Sequence, residues 1–256
     1  MREEATGSSN LRTEISSHDL HHIWVRGYDL TADLIGKMSF TDVAFLLIAH
    51  RIPQDEERRM LDAVLVSLME HGLTLSALAA RTTYWVEPDS LQGAVAAGLL
   101  GAGSRVLGSM EECGKILTRI DAAVSAGSAS GDAADAIVAE YREAGRRLPG
   151  IGHAIHTEGD PRAERLFEVA QECGYSGRHV AAIKDLADAV EQATGRWLPI
   201  NATGAIAAIL LELGVPWQLH RGFALISRTA GLIAHVSEET EAPVTPILRQ
   251  VILDSQ

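Results

Sequence analysis

Apolar residues in this chain return every three or four positions, and no other feature limits its possible folds as much. Val43, Leu46 and Leu47 form one such set, and Leu61, Val64, Leu65 and Leu68 another. On a helix of 3.6 residues per turn each set lines one face. Strict alternation of apolar and polar residues is almost absent. The best case is His22 to Arg26, an Ile-Trp-Val piece ended by Gly27. The pattern predicts an all-α chain, with helices over 41–50, 55–71, 74–85, 90–113, 132–146, 162–173, 179–193, 201–213 and 218–236. Ser39 and the Asp89-Ser90 pair read as helix starts, because their side-chain oxygens can accept from free N–H groups of a first turn. Pro53, Pro149, Pro161, Pro199 and Pro216 mark ends. Ala126 to Gly131, Ala-Gly-Ser-Ala-Ser-Gly, reads as a flexible connector. The tail after Glu238 carries two prolines and an Ile-Leu-Arg-Gln-Val-Ile-Leu run suited to capping the fold or docking on another subunit.

The 256 residues suffice for one large domain or two interlocked ones. Twenty-two Lys and Arg against 34 Asp and Glu leave a net charge of −12. That charge repels phosphate backbones and anionic lipid surfaces, which argues against nucleic-acid and membrane partners. An anionic small molecule stays open, because a local arginine cluster can reverse the field inside a cleft. Leu91 to Gly103 and Leu198 to Leu211 are apolar but shorter than the roughly 18 residues of a membrane span, so they read as buried helices. Cys113 and Cys173 are the only cysteines, and Met1 to Asn10 lacks the apolar core of a secretory signal. A reducing cytoplasm is the expected compartment.

Several motifs fail on inspection. Gly101 and Gly103 begin a dinucleotide-type glycine pattern, but Val106 stands in the third glycine position. Gly108 to Lys115 is one residue too long for a phosphate loop, and Ile116 replaces the metal-binding hydroxyl. Glu14, His18 and His22 would share a helical face as metal ligands, yet read more simply as a solvated segment; no metal is expected. No nucleophile elbow occurs. What survives is Leu148-Pro149-Gly150-Ile151-Gly152-His153, followed by Asp160-Pro161-Arg162 at a helix start. Two glycines let backbone groups approach a ligand closely, the proline stiffens the turn, and Arg162 offers a bidentate donor to a carboxylate.

These stretches, with others in the same order, make the chain resemble the citrate synthase superfamily. The others are Val25-Arg-Gly-Tyr28-Asp, Met38 to Leu47, Glu70-His71-Gly72 with Ser76 and Arg81, Gly98 through Gly108, Asn201-Ala202-Thr203-Gly204 and Gly222 to Arg228. The short length, the Glu-His-Gly form and Arg228 followed by Gly231 to His235 are more similar to citryl-CoA lyase and to the citryl-CoA lyase module of ATP-citrate lyase. The resemblance implies a two-domain all-α subunit with its active site in the cleft. Residues 1–107 and 213–256 would form the large domain and 108–212 the small one. It also implies a homodimer, with a tetramer as the alternative. His153 would meet the oxygen at the carbon where the bond forms or breaks. His71, Arg162 and Arg228 would hold the carboxylates of a dicarboxylate, and the backbone of Leu148, Pro149, Gly150, Ile151 and Gly152 would meet a coenzyme A thioester.

Two departures set the expected chemistry. Arg105-Val106-Leu107-Gly108 stands where the family has a histidine, and Thr203 stands where it has a catalytic aspartate. Condensation begins by deprotonating the methyl group of acetyl-CoA, which needs a positioned base that Thr203 cannot supply. Cleavage of a 3-hydroxyacyl-CoA begins with loss of a hydroxyl proton, for which His153 is the expected acceptor, while Thr203 and Asn201 can donate to the enolate. The expected activity is therefore cleavage of citryl-CoA, or a related 3-hydroxyacyl-CoA, to acetyl-CoA and a 2-oxo acid such as oxaloacetate. The alternatives are a citrate or methylcitrate synthase with its base at Glu158 or Asp160, and a non-catalytic subunit that binds CoA esters.

Overall fold

A computed structural model describes residues 13–104 and 107–256, which are largely helical with one small sheet. Contacts divide the chain into two compact units, Met1–Arg58 and Arg59–Gln256.

In the first unit, β1 (Ser16–His18), β2 (Ile23–Val25) and β3 (Tyr28–Asp29) pair antiparallel in that order, with Ser17 opposite Trp24 and Val25 opposite Tyr28. The piece expected as one short strand is the middle of three. Arg26 and Gly27 both have positive φ, as a two-residue hairpin turn requires. Glu14, His18 and His22 thus lie on and around β1 rather than along one helical face. The helix α1 (Phe40–Ala49) starts as its sequence predicts: Ser39 Oγ accepts from the Asp42 N–H, and the Asp42 carboxylate accepts from the Ser39 N–H at 2.8 Å. The next helix, α2 (Asp55–Met69), opens with three carboxylates that favour the positive end of its dipole.

The second unit contains the rest of α2 and α3 (Leu75–Val86), α4 (Leu91–Leu100), α5 (Gly108–Ser125), α6 (Ser130–Glu143), α7 (Pro161–Glu172), α8 (Arg178–Thr194), α9 (Ala202–Glu212), α10 (His220–Glu241) and α11 (Thr245–Asp254). The single helix expected over 90–113 is two. It breaks at Gly101 and Gly103, which hold the chain less firmly in a helix than other residues. Ser90 precedes α4 but makes no capping bond, because its backbone is not in the extended conformation that aims a cap oxygen at the first turn. The apolar tail run forms α11, which packs on α3.

Helix α3 packs on α4 and α10 through Ala80, Ala94, Leu232 and Val236. Beside this core the buried Arg81 binds Glu239 through Nε at 2.5 Å and the Ala242 carbonyl through Nη2 at 2.7 Å, so it clamps α3 to the end of α10. Helices α5 to α9 pack on one another, with α9 against α5, α7 and α8. Every residue from Gly204 to Leu210 is buried, as suits a helix that is apolar all round. Among the described residues no helix is long and apolar enough to cross a membrane.

Candidate active site

The start of α9 and the glycine-rich loop are built as one piece. Ile151 bridges Ile200, the Gly152 N–H donates to the Pro199 carbonyl at 2.7 Å, and the Asn201 N–H donates to the Gly150 carbonyl at 3.0 Å. Asn201 caps α9 by accepting from the Gly204 N–H, and its Nδ2 donates to the Gly152 carbonyl at 2.8 Å. Gly150 has φ +88°, and a Cβ there would stand 2.6 Å from Cys113 Sγ; a Cβ on Gly204 would stand 2.5 Å from the Gly150 oxygen. Only glycine fits both sides of this contact. Cys113 is a packing group, its thiol pushed up to about 12 by burial.

His153 leaves the loop with its ring orientation fixed. Its Nδ1 accepts from the backbone N–H groups of Ile155 at 3.1 Å and His156 at 3.0 Å. Those two donors leave the hydrogen of the neutral ring on Nε2. Burial lowers its pKa below the ordinary imidazole value; Asp160 opposes this, and His156, Arg162 and His71 add to it. The neutral ring therefore donates through Nε2, where the sequence led us to expect a proton acceptor. That nitrogen lies 3.4 Å from Arg162 Nη2 and 4.0 Å from Asp160 Oδ2.

Asp160 is almost wholly buried and ties the pieces together. It caps α7 through the Arg162 N–H, holds Arg162 Nη2 at 2.9 Å, and accepts the Ala202 N–H of α9 at 2.8 Å. Burial alone would raise its pKa, but the Arg162 and Ala202 donors outweigh it and bring the value to about 2. The carboxylate thus accepts from both ends of this contact, the Arg162 side chain and the start of α9. Glu158 is exposed.

His71 is exposed, on a turn held by Glu70, whose Oε1 accepts from the His71 and Gly72 N–H groups and pairs with His235 Nε2 at 3.0 Å. The ring is near enough to influence His153. Thr203, the second residue of α9, is half-buried, and its hydroxyl makes no hydrogen bond to the described residues; the cap is Asn201. Arg228 is buried on α10, and its Nη1 has no hydrogen-bond partner among them. Arg105 and Val106 lie outside the described residues. A cleft of about 260 Å³ next to Pro149 is lined by Arg146, Arg147 and Arg221 together with Ser104, Ser109, Glu111 and Glu112. Among the described residues no group of three or more His, Cys, Asp or Glu is placed to hold a metal.

Of the residues the sequence singled out, the structure sets Arg162 Nη2 3.4 Å from His153 Nε2, while His71 makes no direct contact with either that the structure shows. Beside them stand His156, whose ring centroid lies 4.7 Å from that of His153, and Asp160, which holds Arg162 at 2.9 Å. Sequence reasoning missed His156, which its three-residue spacing from His153 could have brought to notice.

The geometry belongs to a known class of helical protein. The family described as citrate synthase, C-terminal domain, matches residues 53–250, and the chain is a member of the citrate synthase family. Among solved structures, citryl-CoA lyase from Hydrogenobacter thermophilus is 37% identical, with a TM-score of 0.81, over 89% of this chain and 86% of that one. ATP citrate lyase from Methanothrix soehngenii, solved with citrate and coenzyme A, is 20% identical, with a TM-score of 0.75, over 94% of this chain and 40% of that one. Citrate synthase 2 from Bacillus subtilis is 26% identical over 193 residues, 73% of this chain and 48% of that protein. The chain spans about half the length of the curated relatives it matches.

Proposed function

We propose that the protein is a carbon–carbon lyase that cleaves citryl-CoA, or a close 3-hydroxyacyl-CoA, to acetyl-CoA and a 2-oxo acid such as oxaloacetate. One observation carries the reading: His153 Nε2 and Arg162 Nη2 are both N–H donors, 3.4 Å apart, on a ring and a guanidinium fixed by backbone groups and by Asp160. Such a pair suits an oxygen that gains charge as a C–C bond breaks or forms, because preorganised donors need no rearrangement at that moment. Arg228 supports a dicarboxylate, since a buried guanidinium nitrogen without a partner is unfavourable until an anion reaches it. His71 would hold a second carboxylate.

Asn201 is engaged with Gly152 and Gly204, so in this reading it braces the loop, and Thr203, with its hydroxyl unengaged, donates to the thioester enolate. The Leu148 to Gly152 backbone meets coenzyme A, and the arginine-lined cleft beside Pro149 receives its phosphates. The reading includes residues 1–107 with 213–256 as a large domain and 108–212 as a small one, a homodimer or tetramer, and a cytoplasmic location. Similarity to citrate synthases keeps condensation as the second reading.

The test is a panel of CoA esters assayed in both directions with product detection. Citryl-CoA is expected to yield acetyl-CoA and oxaloacetate. Arg228→Ala should weaken dicarboxylate binding by about 1.5–3 kcal/mol, the scale of a hydrogen bond to a charged group. Net condensation without cleavage would favour the synthase reading, and no turnover with tight CoA binding would favour a binding subunit.

A further inference from the structure

Resting on the lyase reading, we infer that His156 is the proton carrier of the cleavage, a catalytic role separate from that of His153. A retro-aldol step needs an acceptor for the hydroxyl proton and, afterwards, a donor to the enolate carbon. His153 is excluded as the acceptor by its own hydrogen bonds: with Ile155 and His156 N–H groups on Nδ1, its ring hydrogen sits on Nε2, facing Arg162. Asp160 is occupied by Arg162 and the Ala202 N–H. Thr203 carries a hydroxyl, which is no base near neutrality.

The charged groups acting on the His153 ring are Asp160, His156, Arg162 and His71. Of the two other imidazoles, only that of His156 is in ring contact, at 4.7 Å between centroids and tilted by 42°. It is half-buried. Its backbone N–H also fixes the His153 tautomer, so one residue sets the donor and places a second imidazole beside it.

The step balances within this pair. The hydroxyl proton passes to a His156 ring nitrogen while His153 Nε2–H and Arg162 hold the oxygen. The oxygen electrons form the carbonyl, the C–C bond breaks, and its electron pair moves onto the thioester as an enolate. Protonated His156 then returns the proton to the enolate carbon to give the acetyl methyl group. No oxidant, reductant or metal enters.

The experiment measures citryl-CoA cleavage by the full chain, by His156→Gln and by His156→Ala, with CoA binding followed by calorimetry. His156→Gln is expected to lower turnover about 100-fold or more, the lower end of general acid–base contributions, with KM changed by less than about threefold. Free imidazoles should restore His156→Ala, at rates that rise with the basicity of the added ring. A packing role would be restored equally by a non-basic ring of the same size.

Turnover of His156→Gln within threefold of the parent overturns the inference while leaving the lyase reading intact. So does a His156→Ala protein that binds CoA normally but that no imidazole revives. A parent protein that cleaves no citryl-CoA overturns both.

Discussion

Thr203 shows how much one side chain decides in this site. In the proposed reading it stands where a synthase would need a carboxylate to deprotonate acetyl-CoA, and its hydroxyl makes no hydrogen bond to the described residues. Because Asn201 supplies the cap of α9, replacing Thr203 does not remove the helix start signal. Thr203→Asp is therefore expected to leave folding intact and to introduce a base at the start of α9. Deuterium exchange into the acetyl methyl group, followed by NMR with a non-reactive dicarboxylate bound, should be faster in Thr203→Asp than in the parent. Equal, rapid exchange in both proteins would mean that another base already serves that carbon, and the synthase reading would gain. The sequence carried this much of the site: the loop histidine, the arginines and the missing carboxylate were legible as residue types. The tautomer of His153 was not, because it depends on where two backbone N–H groups point.

At the scale of elements, the active loop is rigid because α9 and the 148–153 segment share hydrogen bonds and leave no room for a side chain between them. Gly204→Ala would push a methyl group to within 2.5 Å of the Gly150 carbonyl, and backbone, unlike a flexible side chain, cannot turn aside. A loss of about 1–3 kcal/mol is expected, in the range of overpacked sites. CoA affinity should fall with it. Urea unfolding and calorimetry check the two parts, and an unchanged midpoint with unchanged affinity would show that the loop moves without penalty. Here the sequence was readable for a physical reason. Two glycines, one proline and an asparagine at a helix start leave few backbone conformations, and the repeating apolar positions had already placed α9. The break between α4 and α5 was missed because apolar spacing continues through it, and glycine weakens a helix without forbidding it.

For the whole molecule, acid sensitivity follows from histidines buried in neutral form. His220 is fully buried, donates from Nε2 to the Val215 carbonyl at 3.1 Å, and packs where Gly114 leaves space for its ring. Burial pushes its pKa down to about 4 from 6.5, opposed by the backbone contacts it makes. The folded value lies below the unfolded one, so its stabilising contribution is fully present above pH 6.5 and is lost as pH falls towards 4. The loss amounts to about 3 kcal/mol. Asp160, at about 2 against 3.8, adds a second loss of the same sign below pH 4. Urea midpoints are expected to hold between pH 7 and 8 and to drop steadily from pH 6.5 to 4. A midpoint flat down to pH 4.5 would contradict the role given to His220.

The amino-acid order by itself determined the helical class, most helix positions, the Ser39 start and the identity of the residues at the glycine-rich loop. Those properties follow from spacing along one chain and from local backbone preference, and both are present before any long-range contact forms. Only the tertiary structure decided that Asp160 holds Arg162 and an N–H group 42 residues away. It alone tied Asn201 to the Gly152 carbonyl, left Arg228 Nη1 without a hydrogen-bond partner among the described residues, and set the His156 ring beside that of His153. A side chain's chemistry is fixed by its type, but its protonation state and its free donors are fixed by what the fold packs against it.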